Sequence, residues 1–253
     1  MDQCLTFIVA RSSSKRLPFK LFLPFKENIS IIEQIIIKSK VISNPCILLF
    51  DETSPGKKII EFIASKHNCE VFFGPQNPSE RIYEYINKKA RNKYPNSKYF
   101  IRLTGDNPFI SSKALEAIVN YISLGNCDID YLTFSRLIPG TIPELFSFNI
   151  IEKIKEITSN KIGEHLTLYF KLNKDFGNKI YLNEPSCNEN FMKKTLSIDT
   201  IEQYSSMLKL ISDNDILSTN DDSFINKINL TNYPHEKLNE KERYSELQQY
   251  RLN

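Results

Sequence analysis

Short apolar runs alternate along the chain with stretches in which apolar residues recur every three or four positions. The runs are LTFIVA (5–10), CILLFD (46–51), CEVFFG (69–74), KYFIRLTGD (98–106) and DYLTF (130–134). Their length and their aliphatic and aromatic content fit strands buried on both faces. Between them lie ISIIEQIIIKSKVI (29–42), a segment opened by Ser54-Pro55 and closing near His67, a segment from Ser79 to about Ala90, and one from Ser111 or Ser112 to Tyr121. These carry helical periodicity. Strict strand–helix alternation predicts an α/β fold, doubly wound, with a mainly parallel sheet and helices on both faces; the expected order of the first four strands is 3-2-1-4.

Beyond residue 135 the alternation loosens. FNIIEKIKEI (148–157), GEHLTLYFKLN (163–173) and IEQYSSMLKLI (201–211) are read as helices, and KIYLNEP (179–185) and KKTLSID (193–199) as extended segments. No period of roughly 20–50 residues recurs, which excludes a solenoid. One domain is expected over residues 1–232, with the less regular elements of about 135–200 available for a second ligand and for dimerisation, followed by a charged tail at 233–253. With almost no aliphatic clusters, the tail is read as solvated in preference to an arm on the partner chain of a homodimer.

Composition narrows the function classes. A chain of 253 residues, 41% hydrophobic and 25% charged, can bury a sizeable core. The net charge of +3 is spread over a sequence rich in Lys, Asn and Ile, so no nucleic-acid partner is expected. Cys4, Cys46, Cys69, Cys127 and Cys187 form no C-x-x-C pair and read as buried thiols of a reducing compartment. No apolar run reaches membrane length and Met1-Asp2-Gln3 is no basic leader, so a cytoplasmic protein without membrane insertion is expected.

The first strand opens into ARSSSKRLPFK (10–20), where Arg11, Lys15, Arg16 and Lys20 lie within ten positions. Neither GxxxxGK[ST] nor GxGxxG follows that strand, so a P-loop NTPase and a dinucleotide oxidoreductase lack support. Ligands of open parallel sheets bind beyond the carboxyl ends of the strands where the strand order reverses. With the order 3-2-1-4, the basic loop faces Asp106 at the end of the fourth strand. Asp199, closing the extended run Leu196-Ser197-Ile198-Asp199-Thr200, adds a second strand-end carboxylate. Cations for phosphate charge and hard oxygen ligands for a metal together suit a magnesium nucleoside triphosphate. Taken singly, Asp106 also fits a turn residue and Asp199 a helix cap.

These residues resemble a family. ARSSSKRLPFK is similar to the opening motif A-R-x-x-S-x-R-L-P-G-K of the cytidylyltransferases that activate acidic sugars, the 3-deoxy-manno-octulosonate and N-acylneuraminate enzymes among them, and in particular the spore-coat polysaccharide branch. Ser79-Glu80-Arg81, Arg102-Leu103-Thr104-Gly105-Asp106-Asn107-Pro108, Glu164-His165-Leu166-Thr167 and Ser197-Ile198-Asp199-Thr200 continue the likeness in order. The resemblance implies a GT-A-like nucleotidyltransferase fold, transfer of CMP from CTP to a small acidic sugar or phosphorylated acceptor, and release of pyrophosphate. It implies that Arg11, Ser14, Arg16 and Lys20 hold the triphosphate, Lys20 neutralising the transferred phosphoryl and the leaving pyrophosphate. Ala10 and Thr104 belong to the matching nucleotide motifs, and Ser79 and Arg81 help place the nucleotide. Asp106 and Asp199 would bind Mg2+, and Glu144 and His165 would line the acceptor side. The family's glycine before Lys20 is Phe19 here, its arginine before Glu-His is Gly163, and its glycine-acid pair before Glu144 reads Thr141-Ile142-Pro143.

Two other readings compete. A glycosyltransferase of similar fold would use an Asp-x-Asp metal motif, and Asp128-Ile129-Asp130 fits the letters but precedes its strand. A catalytically dead nucleotide-binding homologue would explain Phe19. Since Pro18 already stiffens the loop, Phe19 is expected at ordinary φ < 0, its ring turned from the phosphates, and Lys15 is expected to point outward.

Overall fold

The computed structural model describes residues 4–125, 128–158, 161–183, 193–213, 233–236 and 250–252. Strand β1 (Cys4–Ala10) is buried along its whole length. A small hairpin, β2 (Pro24–Lys26) and β3 (Ile29–Ser30), leads into α1 (Ile31–Ser39). A capping box starts this helix: the Ser30 hydroxyl accepts from the Glu33 amide, and the Glu33 carboxylate accepts from the Ser30 amide. The chain continues through β4 (Cys46–Asp51), α2 (Lys57–Lys66), β5 (Glu70–Gly74) and α3 (Pro78–Tyr85), which passes through a π-helical turn (Ile86–Ala90) into α4 (Arg91–Lys93). Then come β6 (Tyr99–Thr104), α5 (Ser112–Ser123), β7 (Tyr131–Phe134), β8 (Glu144–Ser147), α6 (Phe148–Ile157), α7 (Leu166–Leu172), β9 (Lys179–Leu182) and α8 (Ile201–Asp213).

The main sheet has seven strands in the order β5-β4-β1-β6-β8-β7-β9. Its first four strands are parallel and follow the expected 3-2-1-4 winding. One strand departs from the alternation: β8 pairs antiparallel with both β6 and β7. Four residues long and continuous with the α6 pattern, it offers too short a run to be distinguished from a loop. Among the described residues the segment KKTLSID joins no sheet; it bridges Lys194 to Glu236 and is held by hydrogen bonds such as Leu196 N–H to Pro139 O at 2.8 Å.

Helices cover both faces. One apolar layer joins the sheet to α1, α2, α5 and α8 through Ile32, Ile60, Leu115 and Met207. The other joins it to α3, α6 and α7 through Tyr85, Ile151 and Leu168. Burial on both sides explains why the strands read as unbroken apolar runs. The described part of the tail differs from the solvated expectation, for Tyr233 and Tyr250 are buried in these two layers. Among the described cysteines, Cys4, Cys46 and Cys69 are free thiols; Cys127 and Cys187 lie outside the described residues. No helix among the described residues is long and apolar enough to cross a membrane.

Candidate active site

A cleft of about 1100 Å³ opens at the carboxyl ends of β1 and β6 and runs toward β7, β8 and α7. That volume is slightly above the usual range for small-molecule sites, about 300–1,000 Å³, and leaves room for two ligands. The position follows from the winding: β1 and β6 are neighbours whose connections leave in opposite directions, so their ends stay uncovered.

At the end of the cleft beyond β1 and β6, three distant segments converge on Lys20. The side chain is buried, and its Nζ donates to Ile198 O at 2.7 Å, to Asp199 Oδ1 at 2.9 Å and to Asp106 Oδ2 at 3.4 Å. Arg16 Nη2 meets the other Asp199 oxygen at 3.1 Å. The Asp106 carboxylate faces Lys20, beside a turn in which Asn107 donates to the Thr104 hydroxyl at 2.7 Å. Thr200 caps α8, with Gln203 Oε1 accepting from the amides of Asp199 and Thr200. The two segments are tied by Ile198 N–H to Asp106 O at 2.9 Å. Gly105 lets the end of β1 and the turn carrying Lys20 close in on the Asp106 turn, since a side chain there would meet Ala10 and Leu21.

The loop after β1 is braced from below. Ser54 Oγ bridges the Asp51 carboxylate (2.9 Å) and Ser13 Oγ (3.0 Å), and Ser12 Oγ donates to Pro55 O. Burial raises the Asp51 carboxyl, but hydrogen bonds from Thr53 and Ser54 outweigh it and hold the group below its usual range. Arg11, Lys15 and Arg16 stay exposed at the cleft wall, with Ser14 half-buried among them.

Phe19 departs from expectation. Its backbone is left-handed, φ 57° and ψ 17°, the conformation a glycine would favour. Its N–H reaches back to Ser12 O (3.0 Å) and its carbonyl accepts from Phe22 (2.9 Å), so the loop must reverse there to start a 3-10 turn that points Lys20 inward. Proline at 18 fixes its own φ and leaves that of the next residue open, which is why it did not prevent the reversal. The ring does turn away from the cleft, 44% exposed and 6.3 Å from the Phe22 ring.

Arg81 lies at the floor of the cleft, among its lining residues. It is 1% exposed, and its guanidinium donates to the carbonyls of Pro75, Gln76, Leu49 and Ala10 at 2.9–3.1 Å. Burial pulls it down to about 10, so it keeps its charge at neutral pH. Arg81 therefore fixes the ends of β1 and β4, Ala10 included. Ser79 Oγ donates to Glu164 O at 3.1 Å, linking the start of α3 to the segment that carries His165.

The far end of the cleft is built on Glu144. Its Oε1 accepts from Tyr131 OH (2.6 Å) and Thr167 Oγ1 (2.7 Å), its Oε2 from Arg102 Nη2. Arg102 also donates to Thr167 Oγ1 at 2.8 Å and lies over the Phe146 ring. Burial raises the Glu144 carboxyl, yet Arg102 and the hydroxyl donors hold it below its usual range, while the Tyr131 phenol is driven well above its own. His165 is half-buried at the N-cap of α7 rather than on its apolar face, and its amide donates to Tyr250 OH at 3.3 Å. Arg102, Tyr131 and Thr167 carry no predicted role, although Arg102 and Thr167 stand in motif segments; Tyr131 has no signal of its own. Asp128 and Asp130 sit at the opposite end of β7, where Asp130 accepts from Ser147 and Asn178, so that pair is remote from the cleft.

A mainly parallel, doubly wound sheet whose first strand ends in a cationic loop opposite two carboxylates, one of them beyond the end of β6, defines the nucleotidyltransferase class. Residues 5–230 match the cytidylyltransferase family, and the chain belongs to it. It is 28% identical over 220 residues to the spore coat polysaccharide biosynthesis protein SpsF of Bacillus subtilis, covering 83% of this chain and 87% of that protein. A cytidylyltransferase from Leptospira borgpetersenii serovar Hardjo-bovis superposes with a TM-score of 0.75 at 26% identity, over 92% of this chain and 95% of that one. A CMP:2-keto-3-deoxy-manno-octonic acid synthetase complexed with CTP gives 0.57 at 11% identity, over 83% and 99%, a likeness of fold.

Proposed function

We propose that the protein transfers CMP from CTP to a small acidic sugar or a phosphorylated acceptor, releasing pyrophosphate, with Mg2+ bound by Asp106 and Asp199. The observation that carries the reading is the convergence of Lys20 and Arg16 with these two carboxylates at one end of a cleft large enough for two substrates. The residues fit the metal: both carboxylates reach one ammonium, so hard oxygen donors from two segments face a common cation position. When bound, the ion would polarise the reacting phosphoryl oxygens and neutralise their charge.

The remaining chemistry belongs to the chain. Arg11, Ser14 and Arg16 bind the triphosphate, and Lys20 neutralises charge at the bond that breaks. Arg81 and the Asp51–Ser54–Ser13 bridge keep that loop at the strand ends, so positioning is settled before the substrates meet. Glu144 is committed to three hydrogen bonds and acts by orienting Arg102; His165 lines the acceptor side above it. An acceptor carboxylate or phosphate needs no strong base, and a hydroxyl acceptor would find one in His165. The exposed Phe19 ring, outside the cleft lining, supports an active enzyme over a dead homologue.

The test is pyrophosphate release with CTP, UTP, ATP or GTP against a panel of sugar acids and sugar phosphates. Release that requires CTP and one such acceptor is expected. Turnover of a nucleotide sugar instead would favour a glycosyltransferase, and no release with any pair would favour a binding protein.

A further inference from the structure

Lys20 is bound where a metal-binding pair would hold its metal. Its ammonium contacts both carboxylates and a backbone carbonyl, is buried, and has Arg16 as a second cation on Asp199. A divalent ion using Asp106 and Asp199 therefore competes with a tethered charge rather than with water. The tether is firm at its root, since the left-handed turn at Phe19 and the 3-10 turn Lys20–Phe22 fix the backbone, while the side chain keeps its rotatable stem. A triphosphate arriving beside Arg11 and Arg16 would give the ammonium a new anion to pair with.

We propose that Lys20 acts as a built-in counter-ion that blocks the divalent-cation site until the nucleotide draws it away, so that metal and triphosphate enter as one unit. This rests on the function proposed above and adds to it a binding order. Two consequences follow from charge alone. The protein without nucleotide binds a divalent ion weakly, because the carboxylate charge is already matched. Nucleotide and metal favour each other's binding, and by linkage the effect is reciprocal. The arrangement would also keep the carboxylates from repelling an incoming triphosphate.

The experiment measures Mn2+ binding to the full-length protein in the absence of nucleotide, by electron paramagnetic resonance of free Mn2+, for wild type, Lys20→Met and Lys20→Arg. Methionine keeps length and apolar stem but removes the charge. Lys20→Met is expected to bind Mn2+ about tenfold more tightly than wild type, and Lys20→Arg no more tightly, a coupling of ordinary size. Adding Asp106→Asn to Lys20→Met should abolish the gain, which places the ion; circular dichroism confirms that each variant folds. Equal or weaker Mn2+ binding by folded Lys20→Met, or none by either protein at millimolar ion, overturns the proposal. Pyrophosphate release separates this from the functional reading: wild type that turns over CTP while matching Lys20→Met in Mn2+ affinity sinks the counter-ion alone. Wild type that releases pyrophosphate from no nucleotide sinks the function, whatever the Mn2+ result.

Discussion

The two ends of the cleft are held by opposite means. At the end proposed to take the nucleotide, most charged side chains stand on loops and stay accessible around the buried Lys20: Arg11, Lys15 and Arg16 are exposed, and the carboxylates of Asp106 and Asp199 are about a quarter exposed. At the end proposed to take the acceptor, one carboxylate, one guanidinium and two hydroxyls are locked together on β6, β7, β8 and α7, with Arg102 and Glu144 at 15% and 12% exposure. The first end can exchange partners when a charged ligand arrives. The second presents a fixed shape, so its variants should affect stability where those of the first affect turnover.

The largest effect should come from the exchangeable end. Asp106→Asn removes a charge and leaves the turn to Asn107, so CTP turnover should fall by about a hundredfold or more while the unfolding midpoint moves little. Steady-state pyrophosphate release together with urea unfolding reads both. At the fixed end, Glu144→Ala strands Arg102 in a nearly dry site and should cost about 3 kcal/mol of stability. A loss below about 1 kcal/mol would mean that water replaces the carboxylate and that the end is not rigid.

Tyr250→Ala should cost about 3 kcal/mol, because the ring packs against Tyr169 at 5.2 Å and fills the space above Gly163, where an added Cβ would lie 2.4 Å from it. Thermal unfolding checks this, and Tyr250→Phe should recover most of the loss. Away from the cleft, Glu33 gives a pH test. Burial raises its carboxyl, but hydrogen bonds from Lys66, Ser30 and His67 outweigh that and hold it at about 2, below the ordinary 4.5. A depressed carboxyl stabilises above its unfolded value and loses that contribution as pH falls. The stability gap between wild type and Glu33→Gln, about 1 kcal/mol at neutral pH, should therefore shrink between pH 4.5 and about 2. A gap constant over that range would contradict it. Smallest is Phe19→Gly, which relieves the left-handed backbone but gives up the contact with Phe22 and should change stability by less than about 1 kcal/mol. Phe19→Val, branched at Cβ, should lose more, and differential scanning calorimetry resolves the pair.

The same contrast governs what the sequence reveals. The N-terminal winding and the exchangeable end are legible because each strand is a buried apolar run and its functional residues lie in the loop that follows it: Arg11 to Lys20 after β1, Asp106 after β6. The fixed end is assembled from residues 102, 131, 144 and 167 by an inverted strand, and nothing local in the sequence announces that pairing. Gly163 was visible as a departure from the family pattern, but its physical partner, Tyr250, is 87 residues away, in a tail whose composition reads as solvated. Phe19 failed for another reason. The hydrogen bonds that force the reversal come from Ser12 and Phe22, and tertiary demand overrides the backbone preference of a single residue.

The most direct test of the account is where the metal–nucleotide complex sits. In amide spectra of the isotope-labelled protein, Mn2+ added with CTP should broaden the signals of Arg16, Lys20, Gly105, Asp106 and Asp199 first and leave those of Glu144 and Tyr250 sharp. Broadening centred on Asp128 and Asp130, or none in the presence of saturating CTP, would contradict it.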